Sequence, residues 1–348
     1  MSETGHGDVR SSEEIVEARL AEYGDAVDRT SSFPLEYERD EKGDAISAEA
    51  TWLRIDGRDQ SIEGKLYTPN EDRKRELVIM SPGSPGDGTV KYEERYVPSL
   101  TKSGLTVFTA RHPGLRVADD APDTYVHCRE KKAQAGNRGQ EYLDGSFSYE
   151  ELGREALTVM SVLEKNFDRV HFVGHSDGMY VILRSLVHLL EEKPELASKV
   201  GNLVSLAGVT GPYDEKILRK FLQWMEKEKL YRLPDEEQNV REFQTNVATF
   251  RGTDWSRFPH MSGMFITPTG LLGGTPDEYM PQSSVQDFAD FIQGQGCKRV
   301  RVVDYANLRV DTEGGEESHD FNHLSPGITT RWITGETQEL LEKKFNKS

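Results

Sequence analysis

Cysteine is scarce in this chain, since Cys128 and Cys297 are the only two among 348 residues. Two cysteines do not support a disulfide framework, and a reducing compartment is the expected setting. Long apolar runs are also missing, because none approaches the roughly 20 residues that a membrane-spanning helix requires. The opening MSETGHGDVRSSEE is acidic and polar, whereas a secretory signal is basic and then apolar. We expect a cytoplasmic protein without a membrane span.

Basic residues are too few to balance the acidic ones. There are 43 lysines and arginines against 60 aspartates and glutamates, which gives a formal net charge of −17. Binding to nucleic acid needs cations that neutralise phosphates, so this composition argues against a nucleic-acid partner. The phosphate-binding patterns GxGxxG and GxxxxGK are absent as well. We expect neither a nucleotide nor any other cofactor.

The composition changes near residue 46. Residues 1–45 hold few large apolar groups and form an acidic N-terminal extension, with one short helix expected over 15–23. Residues 46–348 form the predicted main domain. Within it, the alternating segments 50–55 and 61–67 flank the turn signal Asp56-Gly57, which predicts an opening hairpin.

Short apolar runs separated by helical stretches follow this hairpin. They predict strands at 76–80, 105–110, 169–173, 202–207, 263–267 and 298–303. Strands that alternate with helices form a mostly parallel sheet with helices on both faces. The expected fold class is therefore α/β, with ligands bound at the carboxyl ends of the strands.

Two connections are too long to be simple crossovers between strands. The first covers residues 111–148 and includes an acidic loop at 115–148, while the second covers residues 213–261 and begins with an amphipathic segment. Long excursions in a compact domain are usually lids or binding loops. We predict a helical cap over 213–261, inserted after the sixth predicted strand.

The stretch Gly174-His175-Ser176-Asp177-Gly178 matches the pattern GxSxG, which occurs once in the chain. A nucleophilic serine projects from a strained turn between a strand and a helix, and the two glycines remove side chains that would collide there. The setting fits, because 169–173 reads as a buried strand and 179–190 as an apolar helix. A serine in a tight turn or at a helix N-cap is the alternative. We predict that Ser176 is a catalytic nucleophile.

The segment VHFVGHSDGMYVILRSL around Ser176 resembles the nucleophile segment of the α/β-hydrolase superfamily. The likeness covers about residues 47–345 and implies the α/β-hydrolase fold. A catalytic triad and an oxyanion hole are then expected, and no cofactor is required.

The run Pro82-Gly83-Ser84-Pro85-Gly86 resembles the oxyanion loop of that superfamily, with Pro82-Gly83 in place of the usual His-Gly pair. Backbone amides in an oxyanion hole stabilise the charge of the tetrahedral intermediate. The resemblance implies that the amides of Asp177 and Ser84 are the donors. Proline has no amide hydrogen, so Gly83 is the alternative donor in the first loop. An ordinary turn cluster is the simpler interpretation of the run.

The nucleophile needs a histidine base and a carboxylate that orients this histidine. In α/β hydrolases the acid and then the histidine follow the serine along the chain. Asp277, in a loop after the strand at 263–267, resembles the family's acid, and Asp214 is the alternative. His319 resembles the family's base, with His323 as the alternative. Either aspartate could instead cap a helix.

Two histidines four residues apart would face the same way on a helix and could bind a metal ion. His319 and His323 lie between Gly314-Gly315 and Pro326, where we expect no helix, so we predict no metal site. His112, at the end of the strand at 105–110, is a candidate pocket residue.

A triad with an oxyanion hole performs acyl transfer, so the expected partner is a small-molecule ester or acyl substrate. The runs PGSPG, HPG, GHSDG and HDF also resemble lipid-droplet-associated hydrolases, which implies a lipophilic ester. A peptidase or amidase of the same fold and a non-catalytic binding protein are the alternatives. The combined presence of Ser176, Asp277 and His319 favours an enzyme. No pattern specifies an oligomeric state.

Overall fold

The computed structural model of the chain describes residues 27–37, 46–56, 61–83, 89–111, 149–211, 214–216, 218–220, 223, 236–267, 282–304 and 325–335. Within these ranges, nine strands form a single sheet. The strands are β1 (Val27–Tyr37), β2 (Ile46–Asp56), β3 (Ser61–Pro69), β4 (Glu76–Ser81), β5 (Thr106–Arg111), β6 (Arg169–His175), β7 (Val200–Leu206), β8 (Ser262–Thr267) and β9 (Val300–Asp304).

The sheet has the strand order β1-β2-β3-β5-β4-β6-β7-β8-β9. The pairs β1/β2, β2/β3 and β3/β5 are antiparallel, and all remaining neighbours are parallel. The predicted hairpin is confirmed as β2 and β3, and the six later predicted strands are confirmed within a few residues at their ends. The expected mostly parallel α/β sheet is therefore present.

The edge strand β1 was not predicted from the sequence. It comes from the N-terminal extension and pairs with β2, where Pro34 lies opposite Glu49. A proline within a short polar segment argues against a central strand, but an edge strand tolerates it because one side of its backbone needs no partner. The extension thus adds an edge strand to the sheet.

Seven α-helices occur in the described residues. They are α1 (Thr89–Lys102), α2 (Tyr149–Leu152), α3 (Glu155–Leu163), α4 (Asp177–Glu192), α5 (Glu236–Gly252), α6 (Gln282–Gly294) and α7 (Ser325–Thr334). The buried side chains of α1 and α7 pack on one face of the sheet, and those of α3 to α6 pack on the other. Helices on both faces were expected, because the parallel strands are apolar on both sides.

Helix α7 is the last helix in the described part of the chain. Helix α7 begins at Ser325, with Pro326 in its first turn, where proline's fixed φ and missing amide hydrogen are tolerated. It ends at Thr334, ahead of Gly335, whose φ of +84° suits a glycine that terminates a helix.

The predicted cap region is described only in part. Between β7 and β8, helix α5 packs against α4 and contributes Phe243 and Phe250 to the core. Trp255 and Phe258, which follow α5, are also in the core. These four aromatic residues therefore stabilise the domain, while 213, 217, 221–222 and 224–235 of the predicted cap lie outside the described residues.

Candidate active site

Ser176 lies in a sharp turn between the end of β6 and the start of α4. Its backbone has φ 51° and ψ −123°, a combination that residues other than glycine rarely adopt. Non-glycine residues in such conformations persist where their surroundings over-determine them, and they cluster at functional sites. The strand, the strained turn and the helix predicted around Ser176 are all present.

Hydrogen bonds hold the backbone of Ser176 in this conformation. Its amide donates to the carbonyl of Leu206 at 3.1 Å, and its carbonyl accepts from the amides of Met179 and Val209 at 3.1 Å each. The turn is thereby tied to the end of β7, to the segment after it and to the first turn of α4. The strain is retained because relaxing the turn would break these three bonds.

Two glycines of the motif are required by close backbone contacts. A Cβ at Gly174 would lie 2.7 Å from the backbone nitrogen of Met179, and a Cβ at Gly178 would lie 2.1 Å from the carbonyl oxygen of Ser81. Both distances are shorter than real Cβ contacts. The pattern around Ser176 thus reflects a turn in which strand and helix touch, as the motif requires.

Ser176 occupies the N-cap position of α4, yet its hydroxyl makes no capping hydrogen bond within this fully described helix. Serine is common at N-caps because its oxygen accepts from an amide of the first turn. Since that contact is missing, helix capping does not account for this serine.

The amide of Asp177 begins α4. The first four amides of a helix have no acceptor within the helix, and the helix dipole makes this end attractive to negative charge. The Asp177 side chain is buried, and its charge acts on Tyr180. Burial raises the pKa of the Tyr180 phenol, and the carboxylates of Glu150 and Asp177 raise it further, against a hydrogen bond from Asn246. Tyr180 is therefore a neutral hydrogen-bonding group.

The segment Ser81-Pro82-Gly83 packs directly against the turn. A Cβ at Gly83 would lie 2.8 Å from Cβ of Ser176 and 2.8 Å from Nδ1 of His175. The candidate Gly83 thus lies beside Ser176. Ser84, the first-choice donor of this loop, lies outside the described residues.

A small cavity adjoins the same edge of the sheet, on the face that carries α1 and α7. It is lined by Met80, Ser81, Pro82, Thr109, Val173, His175 and Leu206. Four of these seven side chains are apolar, and the cavity is only about the size of a water molecule.

Asp214 is exposed, and its carboxylate accepts a hydrogen bond from the amide of Lys216 at 2.8 Å. Its carbonyl also accepts from the amide of Leu218 at 3.0 Å. These are the contacts of a residue that caps a helical turn. Asp277, His319, His323 and His112 lie outside the described residues.

No group of three or more histidine, cysteine or acidic side chains is placed to bind a metal ion in the part of the chain that the structure describes. In the same part of the chain, no helix is long and apolar enough to cross a membrane.

Two buried polar residues near the turn, Glu155 and Ser81, are not among the site residues predicted from the sequence. Ser81 ends β4, and its hydroxyl donates to the carboxylate of Glu155 at 3.4 Å. A signal for Glu155 exists in the sequence, because this residue stands among the apolar positions Leu152, Ala156 and Val159 that α2 and α3 bury. A carboxylate among apolar helix positions indicates a specific buried partner.

No protein-family model matches the chain, and no curated protein matches it. Solved structures do match. A highly thermostable carboxyl esterase from Bacillus coagulans aligns with a TM-score of 0.51 and 13% identity, covering 82% of this chain and 98% of its own. Carboxyl esterase 2 from the mycorrhizal fungus Tuber melanosporum aligns with a TM-score of 0.50 and 12% identity, covering 83% and 87%. The chain has the α/β-hydrolase fold that the sequence predicted.

Proposed function

We propose that the chain is a serine hydrolase that cleaves a carboxylic ester or thioester through an acyl-enzyme on Ser176. The observation that carries this proposal is the strained turn at Ser176, which lies between a buried strand and a helix N-terminus. Ser176 is buried there, at the end of a strand and beside the backbone amides that begin the next helix, which is the setting of a nucleophilic serine. The carboxyl esterases with the same fold add support at the level of the fold.

The proposed reaction begins with attack of the Ser176 hydroxyl on the substrate carbonyl carbon while a histidine accepts the hydroxyl proton. The carbonyl oxygen becomes negatively charged in the tetrahedral intermediate. The amide of Asp177 and an amide of the loop at Gly83 or Ser84 stabilise this charge. The intermediate then collapses and expels the alcohol or thiol, which takes the proton from the histidine. Water gives a proton to the same histidine and attacks the acyl-enzyme, and collapse of the second intermediate releases the carboxylic acid while the histidine returns the proton to Ser176.

For the remaining triad members we propose Asp277 as the acid and His319 as the base, with His323 as the alternative base. Asp214 is the less favoured candidate for the triad acid, because its carboxylate already accepts a hydrogen bond from the amide of Lys216. We also propose that 213–261 forms a cap and that the protein acts in the cytoplasm on a small-molecule ester.

The test compares hydrolysis of p-nitrophenyl esters of increasing chain length, an acyl thioester and aminoacyl anilides by wild type and Ser176→Ala. Ester or thioester turnover that Ser176→Ala lacks supports the proposal. Preference for the anilides would replace it with a peptidase or amidase. Turnover of none of these substrates by folded wild type would contradict an enzymatic role.

The base is assigned by comparing His319→Ala with His323→Ala in the same assay. Triad members act as a unit, so loss of the base should reduce kcat about as much as loss of the nucleophile. We expect this result for His319→Ala. If His323→Ala alone shows it, the base lies four residues later.

A further inference from the structure

Glu155 is a fully buried carboxylate for which the proposed reaction has no direct use. It begins α3 and has no exposed surface. The hydroxyl of Ser81 donates to Glu155 Oε1 at 3.4 Å, although the two residues are 74 positions apart in the chain. Burying a carboxylate costs free energy unless it is hydrogen-bonded, so its position at this point of the fold requires a reason.

Ser81, one partner of Glu155, belongs to the segment that touches the candidate nucleophile. The carbonyl oxygens of Ser81 and Pro82 lie close to Gly178. A Cβ on this glycine would come within 2.1 Å of the first oxygen and 2.5 Å of the second. The next residue, Gly83, lies against Ser176. Three successive residues thus link the Glu155 carboxylate to the catalytic turn.

Helix α3 presents Glu155 from an anchored position. The hydroxyl of Ser185 in α4 accepts the amide of Ala156 at 3.1 Å and donates to the carbonyl of Gly153 at 2.8 Å. Glu155 therefore stands between two backbone groups that are tied to the helix carrying Ser176. A carboxylate held in this way can fix the position of the β4 terminus relative to α4.

The position of this segment matters because the loop amide of the oxyanion hole belongs to Gly83 or the residue after it. Oxyanion donors act only when they lie about 2.7–3.1 Å from the developing charge, and removal of one donor costs roughly 100- to 1000-fold in kcat. Misplacement by about 1 Å can cost roughly 100-fold. The hydrogen bond from the Ser81 hydroxyl to Glu155 therefore helps to fix the position of this donor, which lies two or three residues after Ser81.

We propose that Glu155 is a positioning residue that acts through Ser81 to hold Ser81-Pro82-Gly83 against the turn at Ser176. The proposal rests on the proposed function, since it concerns the oxyanion hole of that reaction. The effect of Glu155 passes through the Ser81 hydroxyl to the backbone of the segment. Its loss should lower kcat and leave KM nearly unchanged.

The experiment measures kcat and KM for a p-nitrophenyl ester in Ser81→Ala, Glu155→Leu and Glu155→Gln. We expect Ser81→Ala and Glu155→Leu to lose roughly 10- to 100-fold in kcat with KM within about twofold. Glu155→Gln keeps an oxygen that accepts from Ser81, so it should recover most of the activity. The double variant Ser81→Ala/Glu155→Leu should lose no more than the worse single variant, since both changes break one link.

Thr101→Ala is the matched control for loss of a buried hydroxyl. The Thr101 hydroxyl donates to the carbonyl of Val97 within α1 at 2.8 Å, away from Ser81, so this variant should lower stability while kcat stays near wild type. Circular dichroism and thermal unfolding confirm the fold of each variant. Ser81→Ala removes a single oxygen, so it provides the test even if Glu155→Leu does not fold.

Wild-type kcat in folded Ser81→Ala would overturn the proposal, as would an equal loss of kcat in Thr101→Ala. Equal loss in Glu155→Gln and Glu155→Leu would also overturn it, because the accepting oxygen would then be irrelevant. These outcomes differ from failure of the proposed function, in which wild type itself hydrolyses no ester.

Discussion

The carbonyl oxygen of Ser81 lies so close to Gly178 that a Cβ on this glycine would come within 2.1 Å of it. Ser81 ends β4, while Gly178 is the second residue of α4. The contact brings the candidate oxyanion segment against the helix that follows Ser176. A backbone contact of this kind leaves no flexible side chain that could move aside.

Substitution of Gly178 by alanine should therefore disrupt both stability and activity. We expect Gly178→Ala to lower the free energy of unfolding by about 2 kcal/mol or more, since overpacking against backbone typically costs 1–3 kcal/mol. Gly294→Ala is the control, because a Cβ there has no neighbour within 4 Å. Urea unfolding and ester hydrolysis measure the two effects. Equal stability of the two variants would show that the contact at Gly178 can relax.

The strain at Ser176 can be tested separately from its chemistry. Ser176→Gly and Ser176→Ala both lack the hydroxyl, but glycine adopts a φ of 51° without the steric cost that alanine retains. We expect Ser176→Gly to be more stable than Ser176→Ala by about 1 kcal/mol, after the entropy cost of glycine is subtracted. Thermal and urea unfolding of the two inactive variants provide the measurement. A less stable glycine variant would mean that the turn carries little strain.

A buried cluster of charged residues lies on the sheet face that carries α1 and α7. It predicts that stability changes with pH in the alkaline range. Arg111 donates to both carboxylate oxygens of Glu93 at 2.7 and 2.9 Å, and Nζ of Lys65 lies 3.7 Å from that carboxylate. Burial lowers the pKa of Lys65 to about 8, although the charge of Glu93 acts in the opposite direction. The unfolded chain therefore binds more protons at Lys65 between about pH 8 and 10.5.

The unfolded state releases this proton only at higher pH than the folded state does. The contribution of Lys65 to stability therefore rises with pH in that window. We expect the free energy of unfolding of wild type, minus that of Lys65→Met, to increase from pH 7.5 to pH 10. The comparison cancels groups that titrate equally in both proteins. A constant difference across this range would contradict a lowered pKa at Lys65.

Acid should weaken the contact between α2 and α4. Burial would raise the pKa of Glu150, but the His188 ring, with Nε2 2.9 Å from the carboxylate, and the charge of Arg184 lower the pKa to about 2. Glu150 also accepts from the Asn246 amide of α5 at 3.3 Å. A carboxyl group with a lowered pKa contributes stability above its ordinary pKa, and this contribution is lost as pH falls toward the lowered value.

Wild type should therefore lose more stability between about pH 4.5 and pH 2 than Glu150→Gln does. The effect is moderate because the Glu150 side chain is 40% exposed. Asp168→Asn, which removes an exposed pair with Arg75, is the control and should follow wild type closely. Urea unfolding across this pH range measures the three profiles. Parallel profiles for wild type and Glu150→Gln would argue against the lowered pKa.

Much of the fold could be predicted from local patterns. The parallel strands β4 to β9 are short apolar runs bounded by polar residues, and their type follows from burial on both faces. The turn at Ser176 was identified from glycine spacing and from the strand and helix beside it. These signals lie within about 20 consecutive residues, so the sequence alone contains them.

The buried polar contacts could not be predicted, because they depend on which distant segments become neighbours. Lys65 alternates with apolar residues in β3, a pattern that predicts a solvent-facing side chain. In the structure α1 covers that face of the sheet and places Glu93 beside Lys65. The contact of Glu155 with Ser81 likewise joins α3 to β4. Alternation along one strand indicates two faces, but it does not indicate what covers each face.

The most direct test of the account is the site of covalent labelling by a fluorophosphonate. This reagent phosphonylates a serine only where the hydroxyl is activated and an oxyanion is stabilised. We predict that mass spectrometry finds one modified peptide containing Ser176 in wild type and no modification in Ser176→Ala. Labelling at a different serine, or equal labelling of Ser176→Ala, would contradict the assignment of Ser176 as the nucleophile.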